Sequence, residues 1–248
     1  MDAVILSAGF GERLMPHTEH RPKALLNVGG KPVIDYLLAF ISGADAVETI
    51  HIRTNERYYH AFKDWLRECD YRGKVELSSN GVNEPGGKLG AVGDIEDVCM
   101  KKQFKGDIIV AAGDSIFDFP IDSFIDFCGG KNGDVVAVTE SADRKALKQG
   151  GVVIATSDDR IIDFQEKPAR PKSKMLALPL YRITAETIPF LRRYLMDGNE
   201  RDCIGSFFEW SYRRRPLFAY RTDGTRYHIV DAHSYRKACS AFEKNTGA

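Results

Sequence analysis

The stretch Leu6–Leu26, LSAGFGERLMPHTEHRPKALL, gathers two glycines, several basic side chains and two prolines directly after a short apolar run. Glycines at 9 and 11 leave backbone N–H groups uncovered, so an anion can approach them closely. Arg13 adds a planar fork suited to phosphate oxygens, and Lys23 adds a mobile point charge. Pro16 and Pro22 restrict the loop, and Pro22 biases Arg21 toward an extended backbone. A second candidate is GDS, Gly113–Ser115, where Asp114 follows the apolar run DIIVAA. A glycine pair alone does not name a ligand, and a loop whose charges face water carries similar residues. The dinucleotide fingerprint would need a third glycine where the chain has Leu14, and a Walker A loop would need G-K-S/T, which is absent.

These residues need a scaffold that presents loop backbone at strand ends. AVILSAG (3–9) is a short apolar run ending in glycine and reads as a buried strand. KPVIDYLLAFISG (31–43) has helical spacing, a proline near its start and a glycine at its end. ETIHIRT reads as a strand, ERYYHAFKDWLREC (56–69) as an amphipathic helix and KVELSS as a strand. KLGAVGDIEDVCMKK reads as a glycine-started helix, and DIIVAAGDSIF (107–117) as a buried strand running into a loop. DVVAVTE, GGVVIAT and RIIDFQEKP are three strand-like runs. TAETIPFLRRYLMDGN reads as a helix, PLFAYRT and RYHIVD as short strands, and HSYRKACSAFEKN as a closing helix. Alternating strand and helix imply a mostly parallel sheet covered on both faces. The strand-rich middle, 134–181, implies an inserted or antiparallel portion. Ligands bind such sheets at the carboxyl ends of strands, where both candidate sequences lie.

The composition narrows the function classes. Lys+Arg and Asp+Glu are both 35 in 248 residues, so the formal charge is zero and no basic excess points to nucleic acid. Five scattered cysteines show no zinc spacing and read as free thiols in a reducing compartment. AVIL is too short for a signal peptide, and no apolar run reaches the length of a membrane span. A cytoplasmic enzyme-sized domain with no membrane partner is expected. His17, His20, His51 and His60 show no ligand spacing, the aromatics of ERYYHAFKDWL read as core, and YRRRP (212–216) as a solvated helix end.

The run AGFGERLMPHTEHRPKALLNVGGKPVIDYLL resembles the opening of the sugar-nucleotide pyrophosphorylases. These nucleotidyltransferases join a nucleoside triphosphate to a sugar 1-phosphate and share G-x-G-x-R-L-x-P-x-T, then P-K-x-L, then G-x-P-x-I. LGAVGDI (89–95) is similar to the family's L-G-T-A-G-A-I, against which the base packs. AAGDSIF resembles its G-D strand end, and GGVVIATSDDRIIDFQEKP (150–168) its segment lining the sugar-phosphate site. DGNERDCIGSFFEWSYRRRPLFAY looks like a later segment of smaller members. The resemblance covers nearly the whole chain. It implies a three-layer α/β Rossmann-like (GT-A-like) nucleotidyltransferase fold, with a mostly parallel mixed sheet and helices on both faces. The implied arrangement is one domain over 1–248, with a nucleotide-binding part at about 1–118 and an acceptor-binding part at about 119–248.

The implied reaction is attack by a phosphate oxygen on the α-phosphorus of the nucleotide, with pyrophosphate leaving. The acceptor phosphate, with a second pKa of about 6, is already largely ionised and needs no general base. The protein's task is alignment and charge neutralisation. By resemblance Ala8, Gly9, Gly11 and Arg13 take the triphosphate, and Lys23 the phosphates near the reacting centre. Glu84, Leu89 and Gly90 belong to the nucleotide pocket, with Asn80 and Asn83 as further candidates for a base edge. Asp114 ligates Mg²⁺, which prefers carboxylate and phosphate oxygens. Glu166 accepts hydrogen bonds from acceptor hydroxyls, Lys167 pairs with the acceptor phosphate, and Gly151 and Tyr181 line the acceptor site.

Two departures stand out. The family's W-x-D-I-G-T-x-x-S-Y appears as RYHIVDAHSY, which puts His228 where a second metal-binding Asp would stand. Imidazole is a poor Mg²⁺ ligand, so one-carboxylate binding through Asp114, rescue by Asp231 or Asp223, and impaired catalysis all remain open. LALPLY (176–181) replaces a more polar N-A-G-I-Y, which implies a less polar acceptor pocket and an acceptor such as a modified sugar, a cyclitol phosphate, a phospho-alcohol or a phosphonate. A cytidylyltransferase of a non-sugar phosphate or phosphonate, and a weakly catalytic nucleotide-binding protein, are the competing readings. No acyltransferase-like repeat follows the resembling region, so a single activity is expected.

Overall fold

The computed structural model describes residues 1–243. In chain order its strands and helices are β1 (Asp2–Ser7), β2 (Asn27–Val28), β3 (Lys31–Pro32), α1 (Val33–Ser42), β4 (Thr49–Thr54), α2 (Glu56–Glu68), β5 (Val75–Ser79), α3 (Gly90–Lys102), β6 (Ile108–Ala112), β7 (Ser115–Phe117), α4 (Ile121–Gly129), β8 (Asp134–Glu140), α5 (Arg144–Gln149), β9 (Gly151–Ala155), β10 (Ile161–Glu166), β11 (Met175–Ile183), α6 (Ile188–Met196), α7 (Ile204–Ser211), β12 (Leu217–Arg221), β13 (Arg226–His228) and α8 (Ala232–Glu243). The strands form the expected mixed, mostly parallel sheet with helices. Lys244 and Asn245, expected to end the closing helix, lie outside the described residues.

The chain forms two compact units. One comprises Ala3–Lys88, Ala111–Asp118 and the segment from Thr225 onward. Its part of the sheet runs β1-β4-β5, with β4 and β5 parallel and Ile50 opposite Val75. Val4, Ile5, Ile50 and Ile52 are fully buried, as strands covered on both faces require. β13 pairs antiparallel with β7. The DIIVAAGDSIF run, read as one strand entering a loop, is thus two strands separated by Gly113 and Asp114. α2 starts where the Asn55 side chain accepts the Tyr58 amide at 3.0 Å, an N-cap.

The other unit comprises Met1–Asp2, Leu89–Val110 and Phe119–Gly224. β11 pairs antiparallel with both β8 and β9, β9 with β10, and β12 lies parallel to β8. The strand-rich middle is therefore antiparallel, as expected. The register of β11 on β8 shifts between Ala177 and Tyr181, around Pro179. A proline cannot donate to the ladder, so the pairing is interrupted there. Two short helices, α4 and α5, were not anticipated, and α7 was foreseen only through its solvated end at YRRRP. At nine and six residues α4 and α5 are too brief for a 3.6-residue period to declare itself. Pro32 stands just before α1, where a missing N–H costs nothing.

Candidate functional site

The glycine-rich loop is seated from below. Leu14, which occupies the place of a third fingerprint glycine, is fully buried with Leu26, Val28, Val33, Ile116, Ile229 and Ala238. A side chain is needed there to anchor the loop, which explains why glycine is absent. Gly11 has φ +69°, and a Cβ on it would come within 2.8 Å of Thr18 Cγ2. Thr18 is itself buried, and its hydroxyl donates to the Gly11 carbonyl at 2.8 Å. Asn55 Nδ2 donates to the Ala8 carbonyl at 3.0 Å. The Tyr58 hydroxyl lies 3.0 Å from the Phe10 carbonyl and 2.6 Å from that of Thr18, and donates to one at a time. Thr18, Asn55 and Tyr58 thus shape the loop; Thr18 ends the G-x-G-x-R-L-x-P-x-T pattern, whereas Asn55 and Tyr58 were not singled out from the sequence. For Asn55, its place just before the helical run ERYYHAFKDWL was an available signal.

Lys23 and Asp114 are brought together from 91 residues apart: Nζ pairs with Oδ2. The Lys23 ammonium also passes over Gly9, whose missing Cβ would sit 4.0 Å from Nζ. Both side chains keep some exposure, 23 % for Lys23 and 14 % for Asp114. His228 Nε2 stands 3.4 Å from the same Asp114 oxygen, and the Ile229 amide donates to the Asp114 carbonyl at 2.9 Å. Burial pushes the Asp114 carboxyl up, but Lys23, His228 and Arg226 together hold it well below the ordinary carboxylate range. Asp114 is therefore a carboxylate at neutral pH. Burial lowers the His228 imidazole below its ordinary value against the pull of Asp114. Arg13, in the glycine-rich loop, is exposed, and Glu84 is exposed in the segment before α3.

Among the described residues no group of three or more His, Cys, Asp and Glu side chains stands ready for a metal. Asp231 is used otherwise: its Oδ1 accepts the Ser234 amide at 2.8 Å and caps the start of α8. Asp223 is exposed and belongs to the second unit. The donor set at Asp114 is thus one carboxylate. It suits a hard cation that takes its other ligands from phosphate and water, as Mg²⁺ does.

The second unit holds the remaining candidates. Leu89 precedes α3, and Gly90 opens it with φ +79°. A Cβ on Gly90 would lie 2.4 Å from the Arg201 carbonyl oxygen, so the 201–202 backbone approaches only because residue 90 is glycine. Glu166, at the end of β10, lies over Gly205 of α7, whose missing Cβ would fall 1.8 Å from Oε2. Burial raises the Glu166 carboxyl to about 7; Lys167 opposes the rise, and Glu209 and Glu200 add to it. Lys167 has φ +47°, and its Nζ meets Cys203 Sγ. Cys203, Gly205 and Glu200 lie in the segment DGNERDCIGSFFEW, but nothing in it singled them out. Gly151 and Tyr181 are buried. A Cβ on Gly151 would lie 2.9 Å from Phe164 Cζ and 3.1 Å from Ala177 Cβ, and Tyr181 stacks on Phe208 at 4.9 Å. Arg213 and Arg214 of the YRRRP run are exposed at the end of α7, and Arg214 lies 4.1 Å over the Trp210 ring.

The fold is an α/β sheet protein with a Lys–Asp pair beside a glycine loop. Residues 2–222 match the family described as Nucleotidyl transferase, and the chain belongs to that family. It is 29 % identical over 245 residues to the bifunctional protein GlmU of Methanocaldococcus jannaschii, covering 95 % of this chain and 54 % of that protein. It is 27 % identical over 217 residues to a UTP–glucose-1-phosphate uridylyltransferase of Synechocystis sp., covering 84 % of this chain and 54 % of the relative. The chain spans about half the length of these curated relatives. Its fold matches the crystal structure of an apo UDP-glucose pyrophosphorylase with a TM-score of 0.84 at 18 % identity, over 99 % of this chain and 98 % of the other. A UDP-glucose pyrophosphorylase complexed with UDP-glucose matches with a TM-score of 0.82 at 20 % identity, over 98 % of both chains.

Proposed function

We propose that the protein transfers a nucleotidyl group from a nucleoside triphosphate to a sugar 1-phosphate, or a sugar-like phosphate, and releases pyrophosphate. The observation that carries this reading is the Lys23–Asp114 pair beside Gly9 at the end of a central strand, in a chain whose family is the nucleotidyl transferases. An acceptor phosphate oxygen forms a new bond to the α-phosphorus, and the bond to the bridging oxygen of the leaving pyrophosphate breaks. Ala8, Gly9 and Gly11 offer backbone to the phosphates, Arg13 reaches the leaving group, and Lys23 neutralises charge near the reacting phosphorus. Glu84, Leu89 and Gly90 serve the nucleoside end.

Glu166 and Lys167 serve the acceptor. The left-handed backbone of Lys167, unusual for a residue before proline, costs about 1–3 kcal/mol and supports a functional placement. Gly151 and Tyr181 act as the packed floor behind them. A Mg²⁺ ion is held through Asp114 and supplies further charge neutralisation when bound. His228 contributes no oxygen to it. Both units belong to one nucleotidyltransferase domain. All five cysteines are free thiols, in keeping with a cytoplasmic setting. No helix among the described residues is long and apolar enough to cross a membrane.

The test is pyrophosphate release with Mg²⁺, crossing the common nucleoside triphosphates with sugar 1-phosphates, cyclitol phosphates and phosphonates. A productive pair that is lost in Asp114→Asn is the expected result. Nucleotide binding without turnover over the whole panel would instead favour a binding protein on this fold.

A further inference from the structure

α7 is seated on the sheet by one aromatic side chain. Phe208 stacks on Tyr181 of β11 at 4.9 Å, with 16° between the rings, and lies tilted over Phe164 of β10 at 6.2 Å. Phe164 and Glu166 are two apart on β10 and share a face of the strand. Gly205 and Phe208 are three apart on α7 and share a side of the helix. The apolar pair Phe164–Phe208 thus brings Glu166 beside Gly205. The approach is closer than any side chain at 205 permits: a Cβ there would fall 1.8 Å from Glu166 Oε2 and 2.6 Å from its Cδ. The Glu166 backbone is fixed as well. It pairs with Gly151 of β9, and the Lys167 amide donates to the Gly150 carbonyl at 3.1 Å.

Capping does not account for a carboxyl at the first turn of α7, because Glu200 fills that role. The Glu200 carboxylate accepts the Asp202 amide at 2.6 Å, the Cys203 amide at 3.0 Å and the Ser206 hydroxyl at 3.1 Å. Packing does not account for it either, since an apolar side chain would fill the half-buried space without the penalty that burial and the nearby Glu209 and Glu200 place on the ionised Glu166. A carboxyl held at such a cost, and needed for neither purpose, has its oxygens available to a ligand. We propose that Gly205 is a positioning residue for the acceptor: by lacking a side chain it lets the Glu166 carboxyl lie against α7, and so fixes where the hydroxyls of a phosphorylated acceptor are met. The inference rests on the acceptor role proposed above for Glu166 and adds to it the residue that sets its place. Any side chain at 205 drives the carboxyl off α7 and out of reach of hydroxyls bound in the original position.

The test is a double-mutant cycle on the full chain, read as pyrophosphate release with Mg²⁺ and the productive pair of nucleoside triphosphate and acceptor phosphate. Gly205→Ala is expected to raise the acceptor KM by about tenfold or more, the effect of one hydrogen bond to a charged group, and to leave the nucleotide KM within about twofold. In a Glu166→Ala background the same substitution should cost nothing further, because no carboxyl remains to be displaced. Additive losses, an unchanged acceptor KM, or equal losses for both substrates overturn the proposal. Gly205→Ala combined with Glu166→Asp, whose shorter side chain leaves the alanine more room, covers a single variant that does not fold. That pair should turn over with only the acceptor KM raised, and a loss shared with the nucleotide counts against the proposal. Carboxyl-carbon NMR of glutamate-labelled protein reads the placement without turnover. Glu166, assigned by its disappearance in Glu166→Ala, should titrate near 7 in wild type and fall toward an ordinary 4.5 in Gly205→Ala. An unmoved titration overturns the packing argument. Were wild type silent over the whole acceptor panel, a moved titration would sink the catalytic reading and the acceptor role with it, while leaving Glu166 seated on Gly205.

Discussion

Glu166→Gln should flatten one component of the protein's pH-dependent stability. The Glu166 carboxyl rises from an ordinary 4.5 to about 7 because it is buried over Gly205 with Glu209 and Glu200 nearby, only partly offset by Lys167. The native state therefore holds this proton more tightly than the unfolded chain. By linkage, the contribution is fully present below about pH 4.5 and is lost as pH rises toward 7. A shift of that size corresponds to roughly 3 kcal/mol at most; partial exposure and the neighbouring charges reduce the expectation to about 1–2 kcal/mol. Glutamine mimics the protonated form at every pH. The variant should match wild type near pH 4.5 and exceed it by about 1–2 kcal/mol at pH 8. Urea unfolding of both proteins at pH 4.5, 6 and 8 gives the difference curve, in which all other titrating groups cancel. A difference that does not change with pH would refute the reasoning, since it would mean that Glu166 titrates alike in both states. If Glu166 serves the acceptor as proposed, acceptor affinity should rise more steeply between pH 6 and 8 in wild type than in the variant, where only the acceptor phosphate, with its second pKa of about 6, still titrates.

Other outcomes follow from the packing. Gly90→Ala puts a side chain at φ +79° and 2.4 Å from the Arg201 carbonyl, and should cost about 2–4 kcal/mol in urea unfolding. Leu14→Ala empties a fully buried position under the glycine loop. About 2–5 kcal/mol of stability should be lost, together with nucleotide affinity measured by calorimetry. Tyr58→Phe removes the hydroxyl bridging the Phe10 and Thr18 carbonyls; about 1 kcal/mol and a weaker triphosphate affinity are expected, and an unchanged affinity would show that the loop holds its shape without it.

Much of the fold was legible because it is local. Apolar runs such as AVIL and DIIVAA announce buried strands, the spacing in VIDYLLAFIS announces α1, and proline and glycine mark its ends. α4 and α5 escaped because a helix of about two turns leaves too few residues for its period to stand out. Within the candidate site, Gly9, Gly11, Arg13 and Lys23 were readable since one loop carries them all.

By itself, then, the sequence determined an α/β chain with a phosphate-type loop after its first strand and an acidic residue after a later one. Only the tertiary structure decided that Lys23 meets Asp114, that β13 turns Arg226 and His228 onto that pair, and that Glu166 lies on Gly205. Periodicity records which face of an element is buried, but not which element packs against it. Contacts spanning 91 residues arise from strand order and register, which are settled when buried surfaces are matched across the whole chain.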